Sequence, residues 1–222
     1  GHWGKPPTKG LRYQILNNVS YDTIKKHIDS VDDLAELEPS LISMEYYDGL
    51  WGDIGLPDPI IHIAVKRPKV LKLLLAKKNS LNNVNIQLMN KRYNGIAHSN
   101  QTTGVNIKNR LGKTALHTAI QFNELESVKA LLEAGADTSA IVSSYSEYKK
   151  LNHDNRTVGM YAAANADIYL LQYLIKQGVY FGGIDSKGVD AVGYLLGIGQ
   201  LDINPHLTKN NLLQYLNLLK PN

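Results

Sequence analysis

Residues 109–140 read NRLGKTALHTAIQFNELESVKALLEAGADTSA. Gly112 marks a turn, and Thr114 is placed to cap a short helix. Leu116, Ala119 and Ile120 give that helix one apolar side. Leu125, Val128, Leu131 and Leu132 give a second helix its own stripe at helical spacing. Gly135 follows as a glycine past a helix end does. Two short amphipathic helices joined by a turn cannot bury their apolar faces alone, so the unit needs a neighbour of its own kind on each side.

The chain supplies such neighbours. A shift of 43 takes Thr114 to Thr157, Ala119 to Ala162, Val128 to Leu171, Leu131 to Leu174 and Gly135 to Gly178. A further 33 takes Gly112 to Gly188, Ala115 to Ala191 and Leu116 to Val192. Backwards by 55, His117 maps to His62 and Ala119 to Ala64, with a second helix over 69–77. If the underlying period is 33, the first shift contains an insertion of about ten residues.

Thr114-Ala115-Leu116-His117-Thr118-Ala119 resembles the T-P-L-H-x-A signature of the ankyrin repeat, with Ala115 where proline is usual. Gly135-Ala136-Asp137 is similar to the loop after the second helix in that family. The resemblance implies an all-α fold, an ankyrin-repeat α-solenoid of about five helix-pair units with long inter-repeat loops. It also implies that Thr114 and His117 bond to each other and to backbone, tying neighbouring repeats. That assignment leaves His117 and His62 no catalytic role.

On this register the organisation is a loose tail over 1–8, then the repeat domain over 9–222. Its parts are an N-terminal capping repeat with its connection (9–56), a repeat with a long insertion (57–108), the best-matching repeat (109–141), a repeat with a shorter insertion (142–184) and a C-terminal capping repeat (185–222). Within the first part, Leu11, Ile15, Leu16 and Val19 are at helical spacing. Ser20 is a cap for a helix carrying Ile24, Ile28 and Val31, and residues 34–44 are a further short helix. Pro59 takes the slot of Thr114, at a helix start where proline is tolerated. In the last part a helix over 209–220, capped by Thr208, is expected to bury Leu212, Leu213, Leu216, Leu218 and Leu219. The asparagine-rich insertion 79–106 and the insertion 141–152, with Tyr145, Tyr148, Lys149 and Lys150, map to loops on one face.

The composition excludes several classes. The absence of cysteine removes disulfides, thiolate nucleophiles and Cys-ligated metals. The longest apolar runs, such as Leu73-Leu74-Leu75-Ala76, are far short of a membrane span. A net charge of +4 attracts acidic partners without reaching the footprint of a nucleic-acid binder. No HExxH, Walker A or zinc-type spacing is present, so neither a cofactor nor a metal is expected. Gly193, Gly197 and Gly199 do not follow a strand-then-helix pattern that could cradle phosphate. His153-Asp154 falls on a hairpin tip, where a solvated pair is the ordinary outcome. The start Gly1-His2 reads as a vector remnant. Lysine outnumbers arginine, and asparagine and isoleucine are abundant, a composition of AT-rich genomes.

The family resemblance implies a surface: hairpin tips and the exposed side of each first helix line a groove that contacts a protein partner. Carried over by register, the hairpin positions are Arg110, Leu111 and Lys113, then His153, Asp154 and Arg156, then Ser186, Lys187 and Val189. The first-helix positions are Lys66 and Arg67, then Gln121 and Phe122, then Ala164 and Asn165. Six of these are cationic against Asp154 alone, so the groove is expected to be basic, with Phe122 and Leu111 as apolar anchors. Tyr161 and Tyr194, matching Thr118, are expected to pack between repeats. The expected function is a non-catalytic, monomeric, cytoplasmic module that holds an acidic, partly apolar protein segment and takes no nucleic acid and no membrane. The alternative is the targeting part of a larger secreted effector enzyme of an intracellular bacterium, acting inside the host cell, with its catalytic domain elsewhere.

Overall fold

The computed structural model describes residues 10–34, 58–77, 104–109, 111–142, 154–199 and 202–220. The expectations for the tail, all but the first residue of the helix over 34–44, Arg110, His153 and most of both insertions lie outside those residues. The chain divides into two compact units after Asn109.

In the first unit, α1 (Leu11–Leu16) and α2 (Tyr21–Asp29) form one pair. Ser20 caps α2 by accepting the Thr23 amide at 3.3 Å. A second pair is α3 (Ile60–Ile63), extended by a 3-10 turn to Lys66, and α4 (Pro68–Ala76). Pro59 is the N-cap of α3, and Pro68 opens α4, where a missing N–H costs nothing. Ile24, Ile28, Ile61, Leu71 and Leu74 close the interior between the pairs. His62 Nε2 donates to the Ile107 carbonyl at 3.0 Å, pinning the chain that leaves the long insertion.

In the second unit, α5 (Ala115–Gln121) and α6 (Leu125–Glu133) form the first pair, α7 (Val158–Asn165) and α8 (Ile168–Lys176) the next, and α9 (Ala191–Leu195) with α10 (Leu212–Leu218) the last. The first helices pack in chain order, α5 on α7 and α7 on α9. The described residues thus carry five helix pairs, and their one β feature is an isolated bridge between Val142 and Arg156. That bridge joins the two ends of the shorter insertion, through N–H···O bonds of 2.8 and 3.1 Å.

Repeat-specific local chemistry explains the helix ends. Thr114, Thr157 and Asp190 occupy one register position and each accepts the amide three residues on. Gly135 and Gly178 follow α6 and α8 with φ of +90° and +82°, the left-handed turn that stops each second helix. Asn123 and Asp167 exchange two 3.0 Å hydrogen bonds between successive pairs, and Asp167 also caps α8.

Several expectations are corrected. Leu213 is 74% exposed, and the inward residue of α10 is Tyr215, whose hydroxyl donates to the Ala166 carbonyl at 2.7 Å. Leucines surround that helix, so their spacing selects no face, and the hydrogen bond does. Ala164, expected on the exposed side of its helix, is buried because α7 lies between α5 and α9. Thr208 does act as a cap, but of the turn before α10, through reciprocal bonds with Asn211.

Candidate partner-binding surface

His117 is completely buried. Its Nδ1 lies 3.2 Å from the Thr114 amide and 2.8 Å from the Thr114 hydroxyl. A backbone N–H can only donate, so Nδ1 is the acceptor and Nε2 carries the proton. That proton goes to the Ala140 carbonyl at 3.1 Å. His117 and His62 make the same tie: each Nε2 holds a carbonyl ahead of the next hairpin. The ring is a strut, as the resemblance implied. In the following copy Met160 takes the histidine position, and its sulfur accepts the Thr157 amide at 3.4 Å.

Around this strut the second unit gathers a buried polar cluster. Tyr161 is fully enclosed and meets the His117 ring edge-on, centroids 5.1 Å apart. The Lys113 ammonium is 5.6 Å from the Tyr161 ring centre, and the Arg156 guanidinium carbon is 5.7 Å from it. Lys113 also donates to the Gln121 side chain. Tyr194, one repeat on, is likewise enclosed and donates its hydroxyl to Asp185 Oδ2 at 2.6 Å. Asp185 Oδ1 takes the Lys187 and Val189 amides at 2.8 and 2.9 Å, which shapes the last hairpin. Burial raises the Tyr161 and Tyr194 hydroxyls above the ordinary tyrosine value, while the Arg156 charge opposes the rise at both. Tyr161 and Tyr194 therefore pack between repeats.

The residues expected to form the surface have different fates. Leu111 and Lys187 are exposed, and Gln121, Phe122, Asp154 and Asn165 are half-buried. Asn165 donates to the Tyr161 carbonyl at 2.9 Å, closing its own helix end. The backbone amide of Asp154 donates to the Ser186 hydroxyl at 2.8 Å, joining neighbouring hairpins. Lys113 and Arg156 were expected as rim charges. Both are instead more than nine-tenths buried, with their cations against one aromatic ring. In the first unit Lys66 is exposed. Arg67 is committed elsewhere: its fork donates to the Val19 carbonyl at 2.6 Å and approaches those of Gln14 and Ile15 at 3.4 Å, a cation on the C-terminal carbonyls of α1.

The register also finds a residue that the first reading passed over. A shift of 76 from Phe122 reaches Ile198, which is 64% exposed just after α9. Leu196 and Ile203 beside it are exposed as well, and Ile203 lies against Gly197. The signal was available, since the same shift that located Ala191 locates Ile198. No sequence signal marked Asn204, whose amide donates to the Ala163 and Ala166 carbonyls at 2.9 Å each.

Among the described residues no group of three or more His, Asp or Glu could hold a metal, and no helix is long and apolar enough to cross a membrane. A family model, Ankyrin repeats (3 copies), matches residues 50–182. Capped, stacked helix pairs and this match place the chain among the repeat proteins; it belongs to the ankyrin-repeat family. Among solved structures it is similar to the ankyrin repeat domain of Bcl-3, described as a unique member of the IkappaB protein family. The TM-score is 0.45 and the identity 18%, over 99% of this chain and 86% of that one. No curated protein matches the chain.

Proposed function

We propose that this chain is a non-catalytic protein-binding module that holds an acidic, partly apolar segment of a partner protein. Ankyrin repeats are protein–protein interaction modules, and the proposal concerns which surface is used and what it takes. The observation that carries it is the chemistry at the hairpin and first-helix-end positions of the second unit. Ile198 offers an apolar side chain to solvent at the position where Phe122 lies half-buried, and at the hairpin position Leu111 is 42% exposed and Lys187 is exposed. Exposed apolar side chains serve as anchors, and nearby cations steer an acidic partner toward them. Two buried titratable groups of the second unit, His117 and Asp185, are engaged in structural hydrogen bonds, which supports a non-catalytic reading of both.

Selection of the full chain against a displayed library of random peptides tests this. The expected result is an enriched consensus combining an acidic and an apolar residue, with binding lost in the double variant Leu111→Ser, Ile198→Ser. Both positions are exposed, so the fold survives the change. Absence of a consensus, or unchanged binding by the double variant, removes this surface from the account. Pull-down from a lysate with the intact chain and with a version lacking residues 80–105 then asks whether the long insertion contributes.

A further inference from the structure

We propose that Arg156 and Tyr161 form an anion seat built for a single carboxylate, with Lys113 as its second cation. Arg156 is 8% exposed, its Nε is buried without a hydrogen-bond partner, and no carboxylate pairs with it among the described residues. The Tyr161 hydroxyl, fully enclosed, also lacks a partner. Buried polar groups are normally satisfied, and two unsatisfied donors on side chains in contact, one guanidinium and one phenol, call for an acceptor. The Arg156 cation and the Lys113 cation both lie within 6 Å of the Tyr161 ring centre, at 5.7 and 5.6 Å.

Three features make this a constructed site rather than a stray charge. The backbone of Arg156 is clamped by the bridge to Val142, so the guanidinium is aimed by the fold. The Tyr161 ring is held from its other contact by His117, itself fixed through Thr114 and Ala140. Asp185, one repeat on, takes the Tyr194 hydroxyl and two backbone amides. A planar guanidinium fork matches a carboxylate through two parallel N–H···O bonds, and a phenol O–H adds a third donor.

The seat deepens the interface reading, since it names the group on the partner that is recognised, yet it is measurable without a partner. The probe is N-acetylglutamate methylamide, compared at fixed ionic strength with N-acetylglutamine methylamide, its neutral isostere. In the 15N-labelled full chain the Arg156 Nε–H signal, identified by its loss in Arg156→Lys, is expected to move saturably with the glutamate probe and not with the glutamine one. Tyr161→Phe keeps the ring and removes one donor. It is expected to weaken the probe about 10-fold while raising the urea midpoint of the free protein, because an unsatisfied hydroxyl is gone. Equal responses to both probes, no response to either, or a lowered urea midpoint in Tyr161→Phe would overturn the seat. Inorganic phosphate moving the signal at lower concentration than the glutamate probe would overturn its assignment to a carboxylate. Should the peptide selection fail while the Arg156 signal still responds, the interface reading falls and the seat stands; the reverse pattern removes the seat alone.

Discussion

Replacing His117 by alanine removes a strut whose parts can be costed one at a time. The Thr114 amide, almost fully buried, loses its acceptor, and an orphaned buried N–H costs about 1–3 kcal/mol. The bond from Nε2 to the half-buried Ala140 carbonyl is worth about 1 kcal/mol. The edge contact with Tyr161 adds about 0.5–1.5 kcal/mol. These overlap, and a central value of about 4 kcal/mol puts the change among the severe single substitutions. His117→Met provides the control, because the next copy already uses Met160 there, its sulfur taking the Thr157 amide. Methionine retains volume and a weak acceptor but not the tie to Ala140, so about 2 kcal/mol is expected. Urea unfolding followed by far-UV circular dichroism reads both, as a lowered midpoint at unchanged slope. A cost below about 1.5 kcal/mol for the alanine variant, or equal costs for the two, would refute the strut and its division into parts.

Other expectations follow from different features. Gly159→Ala should cost about 1–3 kcal/mol, because a Cβ would overlap the Tyr180 carbonyl, which is backbone and cannot swing away. Gly178→Ala should cost about 1–2 kcal/mol for another reason, since φ is +82° there and space is open; Gly178→Asn should recover part of it, which denaturation midpoints would show. Alkali should unfold the chain more readily than its charge suggests. Tyr161, Tyr194 and Tyr215 keep their protons above the ordinary value in the folded state, chiefly through burial, and Tyr215 is pushed up to about 12 from 10.0. A raised folded value means the stabilisation is complete below pH 10 and drains as pH rises, for Tyr215 until about 12. Urea midpoints measured across that range should fall steeply, and less steeply in Tyr215→Phe; identical slopes would contradict the assignment. Arg67→Gln should destabilise rather than weaken partner binding, because its guanidinium closes the carbonyl end of α1.

The local rules that set this chain's repeat were written in the sequence. Thr114, Thr157 and Ser20 cap helices because a hydroxyl reaches the amide three residues on, which depends on nothing distant. Gly135 and Gly178 end them because the left-handed turn excludes most other residues. Periodicity located each helix pair, and the same count reaches Ile198, which the first reading passed over. What counting could not settle was which face a helix presents and what a charge meets there. Five leucines around 209–220 leave the inward side undetermined until Tyr215 finds the Ala166 carbonyl 49 residues away in sequence. Lys113 and Arg156 read as rim cations because their types favour solvent, yet the stacking of α5 on α7 brings both onto Tyr161. Short-range hydrogen bonds and backbone sterics are fixed within a few residues, so the chain by itself dictates them. The enclosure of a side chain depends on how neighbouring helices settle against each other, and that is decided only when the repeats pack.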